Sequence, residues 1–334
     1  MGEVFQATHL GLGQRVAIKL LHAHVREDSD AVLRFLREAQ LAARIQSQHV
    51  ARVIDVGHLE DGEPYIVMEY LDGEDLAAIV ARGPLPVQQA VDYVVQACDA
   101  MMEAHNLGIV HRDLKPSNLF LSQRADGARI VKVLDFGVSK LIAHEYDGAG
   151  LTRTTTRLGS PAYMSPEQAH SARDVDARSD VWAFGIILFE FLCGRTPFAA
   201  SSSADVIPLI VNAAPPRPSE FCPEVAPRLE AAVLRCLQKK PEHRFQTLAE
   251  LVLEIAHYGT PRSLQIAHRA AKGAHSLSGD REPLIPRTTS DAGSSAPNAP
   301  LAKRGRVLPV LLLLALLAAV LMAASNVLLL RRPR

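Results

Sequence analysis

Three observations predict an α+β chain of two lobes followed by one transmembrane helix. Strand-like runs crowd the first 70 residues, long apolar periodic stretches dominate from Pro86 to about residue 258, and residues 307–330 carry no charge. The expected organisation is a small sheet-bearing lobe at about 1–70 and a larger helical lobe at about 71–258, which together make one domain. A linker at 259–306 and a span at 307–330 follow.

In the first lobe, Arg15 to Leu21 (RVAIKLL) and Tyr65 to Tyr70 (YIVMEY) are β-branched and apolar enough for buried strands. Between them Ser29 and Asp30 are capping types ahead of a helix whose face carries Val32, Leu36, Ala39 and Ala42 or Ala43. The best helical stretches beyond Pro86 are Val87 to Asn106, Asp180 to Cys193 and Leu229 to Leu237. Residues 259–306 turn Ser-, Pro-, Gly- and Ala-rich, with too little apolar surface to offset ordering entropy, so a disordered linker is expected. Residues 307–330 would span about 36 Å as a helix, against a hydrocarbon core of roughly 30 Å. Basic residues at both ends (Lys303, Arg304 and Arg306; Arg331, Arg332 and Arg334) favour an anchored span over a buried core helix or a nucleic-acid patch.

Lys plus Arg and Asp plus Glu number 36 each, so no global charge points to a nucleic-acid partner, and none is expected. Cys98, Cys193, Cys222 and Cys236 are scattered without a C-x-x-C pair and read as reduced thiols. His22 and His24 form H-x-H, which reads as surface histidines ahead of a metal site. Gly2 to Ala7 lack the basic and apolar regions of a signal peptide.

The chemistry is carried by His111-Arg112-Asp113-Leu114-Lys115-Pro116-Ser117-Asn118, followed seventeen residues past Asn118 by Asp135-Phe136-Gly137. With a lysine on a strand upstream, their order and spacing are highly specific. The chain resembles the bacterial eukaryotic-like (Hanks-type) serine/threonine protein kinases, from Gly2 to about Arg244. The resemblance implies a two-lobed kinase fold and transfer of the ATP γ-phosphate to protein Ser or Thr, with ATP and Mg²⁺ as cofactors and Mn²⁺ as an alternative ion.

Residue by residue, Lys19 resembles the lysine on the α- and β-phosphates and Glu38 its ion-pair partner. Asp113 resembles the base facing the attacking hydroxyl, and Lys115 the γ-phosphate lysine of serine/threonine kinases. Asn118 and Asp135 offer oxygens suited to Mg²⁺. Met68, Glu69 and Leu71 fall in the hinge that bonds adenine through its backbone, Asp75 is placed for the ribose, and Val4, Ala17 and Phe120 for the adenine faces. Ser165-Pro166-Glu167 stands for A-P-E, with Glu167 matched to Arg244, and Asp180 is expected to hold the backbone of the catalytic loop. Gly159-Ser160-Pro161 carries serine where threonine is common.

The glycine-rich loop departs from the pattern, since Met1-Gly2-Glu3-Val4 supplies only its third glycine and the valine. Losing two backbone donors to phosphate would cost about 3–6 kcal/mol. Two explanations follow: a start at an internal methionine of a longer frame, so that the lobe lacks its first strand, or a catalytically impaired, membrane-bound scaffold. The intact Lys19, Asp113, Asn118 and Asp135 favour the first.

The remaining expectations concern location and control. ATP and Mg²⁺ are cytosolic, which puts the kinase domain inside a single-pass inner (plasma) membrane protein. Only Arg331 to Arg334 follow the span, leaving no room for an extracellular sensor. Partners are then the lipid bilayer, membrane-near protein substrates and neighbouring copies for autophosphorylation in trans. Ser117 stands where kinases preferring upstream arginines often carry glutamate, so no strong basic preference is expected. The resemblance further implies that Arg34, Arg112 and Lys140 converge on a pocket awaiting an anion. Thr152, Thr154, Thr155 or Thr156 would supply it as phosphate, adding about −1.5 to −2 charge and one to three charge-assisted hydrogen bonds. The alternative is that these threonines are loop filler.

Overall fold

The computed structural model describes residues 2–22, 29–124, 126–136, 161–171, 175–200 and 202–278. The first lobe is an antiparallel sheet of β1 (Gly2–His9), β2 (Gln14–Leu21), β3 (Val53–His58) and β4 (Pro64–Glu69), in the order β1-β2-β4-β3. Val4 pairs with Lys19, Gln6 and Met68 both pair with Ala17, and Ile66 pairs with Lys19. Directly opposed residues share a face, so Val4, Ala17, Lys19, Ile66 and Met68 line one side of the sheet. Gly2 is required by the close approach of its neighbour, because a Cβ there would lie 2.0 Å from the Leu20 carbonyl oxygen.

Helix α1 (Ser29–Ala42) lies on this sheet. Its buried stripe is Ala31, Phe35, Glu38 and Ala39, packed with Leu21 and Ile66. The expected face centred on Val32 and Leu36 is therefore rotated, and those two are only partly buried. Phe35 brings the larger apolar area and takes the deeper place.

The second lobe begins with β5 (Gly73–Asp75), α2 (Leu76–Val80) and α3 (Val87–Asn106). Strands β6 (Leu119–Gln123) and β7 (Arg129–Val133) join β5 in a small sheet. Helices α4 (Pro166–His170), α5 (Arg178–Cys193), α6 (Ser203–Asn212), α7 (Pro227–Cys236) and α8 (Leu248–Ile255) complete the packing. Helix α5 is buried on nearly every side, including Trp182, Phe184, Phe189 and Phe191, as an all-round apolar helix must be. Gly185 lets α7 approach, since a Cβ there would stand 2.5 Å from Cys236 Cβ.

The expected linker at 259–306 needs correction at its start. Residues Pro261–Ser278 form helix α9, with Ser263, Ile266, Ala267 and Ala270 buried at i, i+3, i+4 and i+7 against α3 and α8. Composition averaged over the whole stretch hid a short amphipathic stripe that contributes to the core. Residues 279–306 and the run at 307–330 lie outside the described residues. Among the described residues no helix is long and apolar enough to cross a membrane.

Candidate active site

The two lobes enclose a cleft of about 410 Å³. Val4, Ala17, Lys19, Glu38, Met68, Glu69, Leu71, Phe120 and Asp135 line it, all named from the sequence. Leu71 follows the end of β4, and among the described residues no protein group bonds its N–H or carbonyl, which leaves both for a ligand edge. Two expected nucleotide-binding residues do not line the cleft, and neither do Asp113, Lys115 and Asn118 of the loop. Gly2 sits beyond Val4 at the strand start, and Asp75 caps α2 by accepting from Ala78 N–H at 2.9 Å.

Lys19 is the charge centre. Its ammonium, on a side chain 7% exposed, lies 2.6 Å from Asp135 Oδ1 and 3.3 Å from Glu38 Oε1. Burial pulls its pKa down, but Asp135 and Glu38 outweigh burial and leave it above the ordinary lysine value. Glu38 is pushed up to about 7 by burial, because Lys19 only partly compensates it and Asp135 adds a like charge. The Lys19–Asp135 contact had no local signal, since the residues stand 116 positions apart.

The catalytic loop is held from below. Asp180, fully buried at the start of α5, accepts from the His111 N–H at 2.9 Å, the Arg112 N–H at 3.0 Å and His105 Nε2 at 2.8 Å. Burial would lift this carboxyl, but His105 and His111 hold it below its ordinary range. These bonds fix Arg112 in the left-handed region, at φ 65. Burial also keeps His111 neutral: its Nδ1 accepts from the Asp113 N–H at 3.3 Å, and its Nε2–H donates to the Leu134 carbonyl at 3.0 Å.

Above this base, Lys115 Nζ lies 3.1 Å from Asp113 Oδ2, and Asn118 Nδ2 donates to the Asp113 carbonyl at 2.7 Å. That bond leaves Asn118 Oδ1 facing away from Asp113. The Leu134 N–H donates to the Asn118 carbonyl at 2.9 Å, which sets Asp135 (φ 48, side chain 44% exposed) beside Asn118. One amide and one carboxylate oxygen suit an Mg²⁺ that takes its other ligands from phosphate and water. When bound, that ion would neutralise charge on the transferring phosphoryl group.

The scaffold motifs meet as expected: Arg244 and Glu167 form a bidentate pair at 2.7 Å on both arms, and Ser179 Oγ donates to Glu167 at 2.6 Å. Several supports had been missed. Ser165 and Gln168 form a capping box on α4, and Gln168 Nε2 donates to the Arg112 carbonyl at 2.9 Å. The S-x-x-Q spacing was a readable signal. Lys132 Nζ ties the hinge residue Glu69 at 2.5 Å, and Tyr163 OH donates to Glu190 at 2.7 Å; neither pair has a local signature. Of the expected anion pocket, Arg112 Nη2 donates to the Val175 carbonyl at 3.0 Å and Arg34 is half-buried on α1. Lys140, Thr152, Thr154, Thr155 and Thr156 lie outside the described residues.

A lysine set between two carboxylates, together with a loop that presents an aspartate, a lysine and an asparagine, is a site suited to phosphoryl transfer in a two-lobed fold. The sequence profile of the family described as protein kinase domain matches residues 1–254, and the chain belongs to that family. It is 41% identical over 267 residues to serine/threonine-protein kinase PknB of Mycobacterium leprae, covering 78% of this chain and 42% of the relative. It is also 41% identical over 250 residues to serine/threonine-protein kinase Pkn1 of Myxococcus xanthus, covering 75% and 35%. The chain thus spans less than half the length of these relatives. The crystal structure of the Mycobacterium tuberculosis PknI kinase domain superposes with a TM-score of 0.60 at 29% identity, over 77% of this chain and 91% of that one.

Proposed function

We propose that the chain transfers the ATP γ-phosphate to serine or threonine hydroxyls of proteins, using Mg²⁺. The observation that carries this is Lys19 held between Glu38 and Asp135, with Asp113, Lys115 and Asn118 bonded together on a loop whose Asn118 carbonyl accepts from the Leu134 N–H beside Asp135. In this reading Lys19 grips the α- and β-phosphates, Asp113 orients the attacking hydroxyl, Lys115 meets charge developing on the γ-phosphoryl group, and Asn118 and Asp135 hold the metal. With the full chain, Mg·ATP and a generic protein acceptor, Asp113→Asn should lower turnover about 10²–10⁴-fold. Lys19→Met should act on the same step. Nucleotide binding without phosphate transfer to any protein would instead support a scaffold.

We further infer attachment to the inner membrane through 307–330, with the kinase domain in the cytosol and substrates close to the bilayer. Helix α9 shortens the expected tether to 279–306, with a reach of roughly 26–32 Å. Protease protection in oriented vesicles tests this. Phosphate on Thr152, Thr154, Thr155 or Thr156 is the proposed activating signal, and alanine at all four should lower activity at least tenfold.

A further inference from the structure

Helix α9 shares its polar partners with β7, the strand that leads to Asp135, and with His49. Asp92, Gln96 and Asp99 stand at i, i+4 and i+7 on one face of α3. Asp92 Oδ1 accepts from Thr260 Oγ1 at 2.5 Å and Ser263 Oγ at 2.8 Å, while its Oδ2 accepts from Gln96 Nε2 at 2.8 Å. Gln96 Oε1 in turn accepts from the Val131 N–H of β7 at 3.0 Å and from Arg262 Nη1 at 3.4 Å; Arg262 also donates to the Arg129 carbonyl at 2.9 Å. Asp99 accepts from Arg269 Nη2 at 3.1 and 3.2 Å and stands 4.0 Å from His49 Nε2.

On its other side the His49 ring donates from Nδ1 to the Val131 carbonyl at 2.8 Å, and its own carbonyl accepts from the Val133 N–H at 2.7 Å. Strand β7 ends at Val133, two residues before Asp135. Gln96 and His49 are 1% and 0% exposed, so water cannot replace a bond that either one loses.

We propose that α9, which lies beyond the residues matched to the kinase-domain family, is a positioning element for the nucleotide cleft. Arg262 and Arg269 hold Gln96 and Asp99 in the orientation that fixes β7 and the loop at 47–51, and through them Asp135. The inference rests on the phosphotransfer reading of the cleft. It gives whatever follows Ser278 a mechanical route to the metal-binding aspartate.

The test is the full chain carrying Arg262→Ala and Arg269→Ala, with Arg269→Lys as the conservative control. The Arg269 arm is 55% exposed, so its truncation spares the core. The KM for ATP should rise about three- to tenfold, while kcat and the KM for protein acceptor move less than twofold. Arg269→Lys alone should stay near the wild-type value. Amide exchange should quicken at 129–133 and 47–51 and stay slow at 178–193. An unchanged KM for ATP with unchanged exchange at 129–133 overturns the proposal, whether or not exchange at 261–278 shows the helix released. If the unmodified chain transfers no phosphate, the functional reading fails by itself. The coupling is then decided by the Kd for ATP and exchange at 129–133.

Discussion

Lys19 is one ammonium between two carboxylates, and the shorter bond goes to Asp135. Glu38, buried with the weaker share, keeps a proton up to about pH 7. Its folded pKa lies above the unfolded value of about 4.3, so stability from this proton is full below pH 4.3 and is lost as pH rises towards 7. Glu38→Gln removes that dependence. Between pH 5 and 8 the wild type should therefore lose stability relative to Glu38→Gln, as read by urea unfolding at both pH values without nucleotide. A stability difference that is the same at pH 5 and pH 8 would refute the shared-ammonium picture. The pairing of Lys19 with Glu38 was legible from motif order, whereas the competition from Asp135 was not, because it depends on how β7 delivers Asp135 to the cleft.

Among the elements, α5 and α9 show opposite failures of pattern reading. Helix α5 was plain in the sequence because it is apolar on all sides and Asp180 opens it with a recognisable motif. Helix α9 was overlooked because, among its described side chains, only Ser263, Ile266, Ala267 and Ala270 are buried, and its docking relies on Asp92, Gln96 and Asp99, some 170 residues upstream. Ile266 is its deepest apolar side chain, 1% exposed. Ile266→Asp places an unpaired charge in that contact and should cost several kcal/mol locally. The expected readout is fast amide exchange over 261–278 with α5 still protected. Retained protection at 261–278 would show that Ile266 is not what seats the helix.

At the scale of the molecule, burial among the described residues falls into two clusters of unequal size. The smaller joins Leu21, Ala31, Phe35, Ala39 and Ile66, while the larger runs through α3, α5, α7, α8 and α9. The division in space does not follow the sequence boundary near residue 70. Ile45 and Val50 belong to the larger cluster, and the Ala51 N–H bonds the Val133 carbonyl at 3.1 Å. A small cluster holds its elements with less free energy. Amide exchange over β2, α1 and β4 should therefore open at lower free energy than α5, while the loop at 47–51 opens with the larger lobe. A single shared opening energy for β2 and α5 would contradict this division.

Local sequence was enough for the two-lobed order of strands and helices, the catalytic loop and nine of the residues lining the cleft. Those properties lie in local periodicity and in motifs whose spacing is set by one turn or one loop. Tertiary structure alone decided that Lys19 is shared by two carboxylates and that α9 joins the domain. Each of these depends on which distant backbone or side chain arrives within hydrogen-bond range. Chain closure over 116 to 171 residues leaves no imprint on neighbouring residue types.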